Sequence, residues 1–207
     1  MPRRATVAEL TGLLEAGQFA ALIDIREDAQ IEFKSQLNLG LAQDRHKLLK
    51  AVAALANTSG GLIVIGVETE QDIQSRVDFA ARLVYLSEVN VGTYYQILSK
   101  FLYPRVQVAV EVYGQDQQLL VSVRVEQMMS ERPVLVTHTI GETLNGGTVF
   151  GYYTRTEVAA EHIGFAEIHS LLQAGKRMDG IGELGELLTR ISGRLDEIEK
   201  KLEPRRE

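Results

Sequence analysis

The sequence predicts an α+β domain built on a mixed sheet with flanking helices, followed by a C-terminal heptad helix. Three observations lead there. Leu62-Ile63-Val64-Ile65 is a continuous apolar run, as in a central strand buried on both faces. Val106 to Tyr113 and Gln118 to Glu126 are β-rich and separated by Gly114-Gln115-Asp116-Gln117, the pattern of a hairpin with a four-residue turn. Among these strands lie segments whose apolar residues recur at helical spacing, so strands and helices mix within one domain.

The elements follow in chain order. Thr6-Val7-Ala8-Glu9 reads as a capping box, in which the Thr6 hydroxyl accepts from a first-turn amide and Glu9 reaches back. Val7, Leu10, Leu13 and Leu14 continue as one helical face that Gly17 closes. From Ala21 to Leu37 the pattern turns β-like, with Ile23, Ile25, Ile31 and Phe33 among charged residues, which predicts two short strands around a turn near Glu27-Asp28. Asp44 is placed to cap a second helix with Leu48, Leu49, Val52, Leu55 and Ala56 on its apolar face, and Asn57-Thr58-Ser59-Gly60-Gly61 stops it. Phe79 to Tyr103 reads as mainly helical up to Pro104, with Tyr94, Tyr95, Ile97, Leu98 and Phe101 buried. A strand over 148–154 and a helix over 165–172 complete a domain spanning residues 1–175.

Residues 176–207 form a separate unit in this reading. Ile181, Leu184, Leu188, Ile191, Leu195, Ile198 and Leu202 are spaced three and four apart in alternation, a heptad seam. Mostly Leu at a and Ile at d leans toward trimers or tetramers over parallel dimers, so a homo-oligomer between dimer and tetramer is expected. Gly182, Gly185 and Gly193 work against an isolated coiled coil. The simpler account is an amphipathic helix folded onto its own domain; strict heptad phase and charged flanks favour self-association.

Composition narrows the functions. The 207 residues contain no cysteine, which excludes thiol catalysis and cysteine-ligated zinc and fits a cytoplasmic protein. No apolar region follows Arg3-Arg4 as in a signal peptide, and no run reaches the ~18 apolar residues of a membrane span. A net charge of −6 argues against a generally basic surface, so any grip on phosphate is local. Residues 176–207 carry eight basic and eight acidic side chains, which leaves the −6 on the globular part. There is no G-x-x-x-x-G-K-[ST] loop and no G-x-S-x-G elbow, and His46, His138, His162 and His169 lack ligand spacing.

What chemistry remains is acidic. Glu27 and Glu32 flank the first β segment, and Glu68 and Glu70 follow the central strand. If those strands are neighbours, three carboxylates meet at one sheet edge, an oxygen-donor set suited to Mg²⁺ or Mn²⁺ and to phosphodiester hydrolysis. On spacing alone, solvated strand ends account for these acids more simply. For polynucleotide contact the candidates are Lys34, Arg45, Lys47, Lys50 and Arg155, with Arg3 and Arg4 on a flexible arm. Lys47 and Lys50 share a helix face, which a solvated surface explains as readily.

Glu27-x-x-x-x-Glu32-Phe33-Lys34, then Ala53-Ala54-Leu55-Ala56-Asn57-Thr58-Ser59-Gly60-Gly61, then Leu62-Ile63-Val64-Ile65-Gly66-Val67 closely resembles the Schlafen AlbA-type domain. Arg132-Pro133 and Tyr152-Tyr153-Thr154-Arg155 resemble that family's closing segments, so the resemblance runs from the N-terminal helix to Leu172. It implies an α+β fold that binds RNA or DNA. It also implies similarity to animal Schlafen endoribonucleases, which use three acidic residues and a metal ion. By motif position the first two acids fall on Glu27 and Glu32. The third, often Asp in the family, falls on Glu68 or Glu70, with Glu27, Glu32 and Glu68 as the metal set. The expected function is therefore a nucleic-acid-binding Schlafen-like protein with metal-dependent cleavage of structured RNA. The competing expectations are a non-catalytic DNA-binding regulator and an ATP-binding module.

Overall fold

The computed structural model describes residues 2–128, 133–140, 147–155 and 160–162. Helix α1 (Val7–Glu15) begins as expected, with the Thr6 hydroxyl accepting from the Glu9 amide at 3.1 Å. It ends at Gly17 (φ +67°), where the Gly17 and Gln18 amides donate to Leu14 and Leu13 carbonyls at 3.1 and 2.9 Å. The Glu9 carboxylate turns to Arg3 at 2.5 Å, away from its own helix start. Arg3 does not lie on a flexible arm: its amide donates to Asp24 at 2.7 Å and its carbonyl accepts from Arg26 at 3.0 Å.

The main sheet is mixed, in the order β1 (Ile31–Lys34), β2 (Gly61–Ile65), β7 (Gln118–Val125), β6 (Val108–Gln115). β1 and β2 run parallel, and helix α2 (Ala42–Ala56) makes the crossover that such a pair requires. β2 is the central strand expected from its apolar run. Leu62 and Val64 face a core with α1 and Phe33, while Ile63 and Ile65 face a second core with α2. On that second side lies another sheet, in the order β10 (Ala160–His162), β9 (Gly147–Arg155), β8 (Leu135–Ile140), β5 (Leu102–Tyr103). The Leu48–Ala56 stretch of α2 is packed with Val121 and Val123 of the main sheet and with Val136 and Tyr153 of the second.

Several expectations are corrected. Of the two strands predicted over Ala21 to Leu37, only β1 forms. Phe19–Leu22 is a 3-10 turn and Asp24 takes φ +65°, so Ile25 and Arg26 make single bridges to Arg3 and Phe79. Asp44 does not cap α2. The helix starts at Ala42, and Asp44 sits in its first turn, accepting from the Asn38 amide at 3.0 Å. Phe79 to Tyr103 is not mainly helical. Asp78–Leu83 is strand β4, paired with β3 (Val67–Gln71) in a hairpin that buries Ala80 and Val67 against α1, and the helix is α3 (Val91–Phe101) alone. The β6–β7 turn holds two residues, Asp116 and Gln117, because pairing continues to Gln115 with Gln118.

The chain divides into two compact units, Met1–Gly164 and Phe165–Glu207. The helix expected over 165–172 and the heptad seam from Ile181 to Leu202 lie outside the described residues. Among the described residues no helix is long and apolar enough to cross a membrane.

Candidate functional site

Glu27 and Glu32 come together because Asp28 folds the chain between them. Its Oδ1 accepts from the Gln30 and Ile31 amides at 2.8 and 3.0 Å, a tight turn that launches β1 immediately afterwards. Glu27, before the turn, then reaches forward, and its Oε1 accepts from the Phe33 amide at 2.8 Å. Ile31 and Phe33 point into the α1 core, so Glu32 and Lys34 take the opposite face. Both glutamates are buried.

What accompanies them inside is Arg155. Expected as a nucleic-acid contact, it is instead 5% exposed at the end of β9. Nη1 donates to Glu32 Oε2, Nη2 donates to Glu27 Oε2 at 3.1 Å and to the Ile31 carbonyl at 2.9 Å, and Nε donates to the Asp28 carbonyl at 2.8 Å. Lys34 Nζ pairs with Glu32 Oε1 at 2.5 Å from a half-exposed position. The backbone of Arg155 is fixed just past the end of α2: its amide donates to Thr58 Oγ1 at 3.0 Å. Asn57 holds both neighbouring strands, donating to the Val134 and Tyr153 carbonyls at 2.9 Å and accepting from the Val134 amide at 2.6 Å. Asn57 follows α2 with φ −78°, and Gly60, within the same stop segment, takes the left-handed turn.

Burial, with repulsion from Glu32 next, raises the Glu27 carboxyl above the ordinary 4.5 despite the attraction of Arg155, Lys34 and the Phe33 amide. The third acid of the expected set lies elsewhere. Glu68 is on β3, where Arg82 Nε donates to it at 2.8 Å across the hairpin, and Glu70 is exposed two residues on. Among the described residues no group of three His, Asp or Glu side chains gathers as a metal site. The donor set does not fit Mg²⁺ or Mn²⁺, which require several open oxygens in octahedral array: each oxygen of Glu27 and Glu32 already accepts from a protein donor.

The remaining cations lie where α2 emerges between the sheets. Lys50 Nζ stands 5.6 Å from the centre of the Tyr153 ring, and the His46 ring meets the same tyrosine edge-on at 5.9 Å. Burial, then the Lys50 charge, push the His46 imidazole below its usual value. Tyr153 and Arg155 are two apart on β9 and so share a face, which puts Lys50 at one end of the row and Lys34, through Glu32, at the other. Lys47 is well exposed and pairs with Asp44 at 2.8 Å. Arg45 is turned to the start of its helix, donating to the Leu39 and Gly40 carbonyls at 3.0 and 2.8 Å.

No curated protein matches this chain. Among solved structures, the chain is similar to the N-terminal domain of an ATP-dependent DNA helicase RecG-related protein from Nitrosomonas europaea, at 18% identity and a TM-score of 0.42, covering 78% of this chain and 93% of that one. The family model described as Schlafen, AlbA_2 matches residues 27–157, from the first buried glutamate to just beyond the arginine that pairs with it. With most of its length matched, the chain belongs to the Schlafen AlbA_2 family.

Proposed function

We propose that this domain binds nucleic acid through phosphate contacts along the strip where α2 emerges beside β9. The observation that carries the reading is the placement of cations in a chain of net charge −6: Lys50 and Lys34 at the two ends of the Tyr153–Arg155 row, and Lys47 one helical turn before Lys50. Family membership supports it. The Tyr153 ring is buried, so the strip offers charge to a backbone more than a stacking platform to bases. Contacts of that kind favour a polyanion over a particular sequence, which leaves RNA and DNA both as ligands of the proposal. Self-association through the heptad seam belongs to the same proposal, because a weak local patch gains avidity when several copies face one polymer.

Fluorescence anisotropy with labelled single-stranded RNA, single-stranded DNA and duplex DNA, at two salt concentrations, tests it. Wild type is expected to bind with a steep salt dependence. Lys47→Glu/Lys50→Glu should weaken binding by about tenfold or more and flatten the log–log salt slope by about two. Absence of salt-sensitive binding to every probe, or an unchanged slope in the variant, would overturn the reading. Probe length, read on a gel after incubation with Mg²⁺ or Mn²⁺, separates binding from cleavage.

A further inference from the structure

The buried carboxylate pair is already charge-compensated. Glu27 and Glu32 contribute two negative charges, and Arg155 and Lys34 two positive ones. Arg155 is the more committed of the two cations. It reaches both carboxylates and two β1-side carbonyls, from a backbone tied to the end of α2. Its fork geometry suits two acids at once, which a lysine cannot match. Since β1 is the edge of the main sheet and β9 belongs to the second, these contacts join the two sheets directly.

We infer that Arg155 is the resident cation of the Glu27–Glu32 pair, so that the cluster is a metal-free lock between the sheets and becomes a divalent-cation site only when the arginine is removed. The charge count points to this arrangement. A divalent ion entering beside Arg155 and Lys34 would meet two positive charges and carboxylate oxygens that each already accept from a protein donor. Without Arg155, two buried carboxylates would face each other with Lys34 as their only cation, a strongly unfavourable state that a bound ion relieves.

Thermal unfolding of wild type and Arg155→Met, each with EDTA and with millimolar Mn²⁺, tests the inference. Wild type should unfold at the same temperature in both. Arg155→Met should unfold about 10 °C lower in EDTA and recover part of that loss with Mn²⁺, while Arg155→Met/Glu27→Gln should show no recovery. Arg155→Lys should fall between wild type and the methionine variant, because it restores charge without the fork. Should Arg155→Met fail to fold, water-proton relaxation of Mn²⁺ titrated into wild type gives the answer alone: an unchanged free-ion signal supports the lock. Stoichiometric Mn²⁺ binding by wild type that Glu27→Gln/Glu32→Gln abolishes would overturn it. So would an Arg155→Met protein as stable as wild type.

Discussion

The two buried glutamates differ in what surrounds them, and substitution should separate them. At Glu27 the carboxyl is raised, so the folded state holds its proton more tightly than the unfolded state does. The stabilisation from this residue is therefore fully present below the ordinary value of 4.5 and is lost as pH rises through the raised one. Glu27→Gln removes that dependence while keeping an oxygen for the Phe33 amide. The variant should match wild type near pH 4 and gain stability relative to it at pH 7, read as a shifted urea midpoint at the two pH values. Glu32 is different because it accepts from Lys34 and Arg155 together. Glu32→Gln should destabilise the protein at pH 7, by about 2–4 kcal/mol in the same experiment. Equal effects at the two positions would mean that the cluster's charge is spread evenly and that Arg155 does not discriminate between its partners.

At the scale of elements, the join between α2 and β2 brings two stretches of backbone into close contact. Gly61 has φ +152°, and a Cβ there would lie 2.2 Å from the Gln30 carbonyl oxygen, which accepts from the Leu62 amide at 2.7 Å. This contact lets β2 begin beside β1 directly after the helix, so Gly61→Ala should cost about 2–4 kcal/mol by strain and a shifted ladder. Gly12, in the middle of α1 with open space around its Cα, is the control: Gly12→Ala should stabilise by about 0.5–1 kcal/mol. Urea midpoints for the two variants check both signs. The same join shows which parts of the fold were legible. Leu62-Ile63-Val64-Ile65 and the apolar face of α2 declare themselves because periodicity and run length follow from burial on one side or two. Strand β4 did not, because Asp78-Phe79-Ala80-Ala81-Arg82-Leu83 lacks clean alternation and takes its conformation from pairing with β3. The second sheet was missed for a related reason: β5, only Leu102–Tyr103, is recruited by β8, more than thirty residues away. In the site, Glu27 and Glu32 stand out in the sequence because they flank one short β segment, and the turn at Asp28 brings them together. Their cation was not legible, since Arg155 meets Glu27 across 128 positions of sequence and local pattern carries no record of that contact.

For the whole molecule, the proposed binding strip is small, and under the proposed self-association its strength depends on how many copies act together. One subunit offers Lys34, already paired with Glu32, Lys47, already paired with Asp44, and Lys50 beside Tyr153. Exposed pairs of the Lys47–Asp44 kind contribute roughly 0–1 kcal/mol and open readily to a phosphate, yet three such contacts in a chain of net charge −6 make a weak monovalent site. The proposed self-association through the heptad positions from Ile181 to Leu202 would multiply it. Leu188→Asp/Leu195→Asp places charges at two a positions, where a coiled-coil seam must be dry. Light scattering of the full chain should show an oligomer for wild type and a monomer for this variant. Polynucleotide affinity should then fall by about 10²-fold or more for long probes, with little change for a probe spanning a single strip. If both proteins are monomers, the seam packs on its own chain. If the variant dissociates and binds long probes as tightly as wild type, assembly serves some purpose other than grip on the polymer.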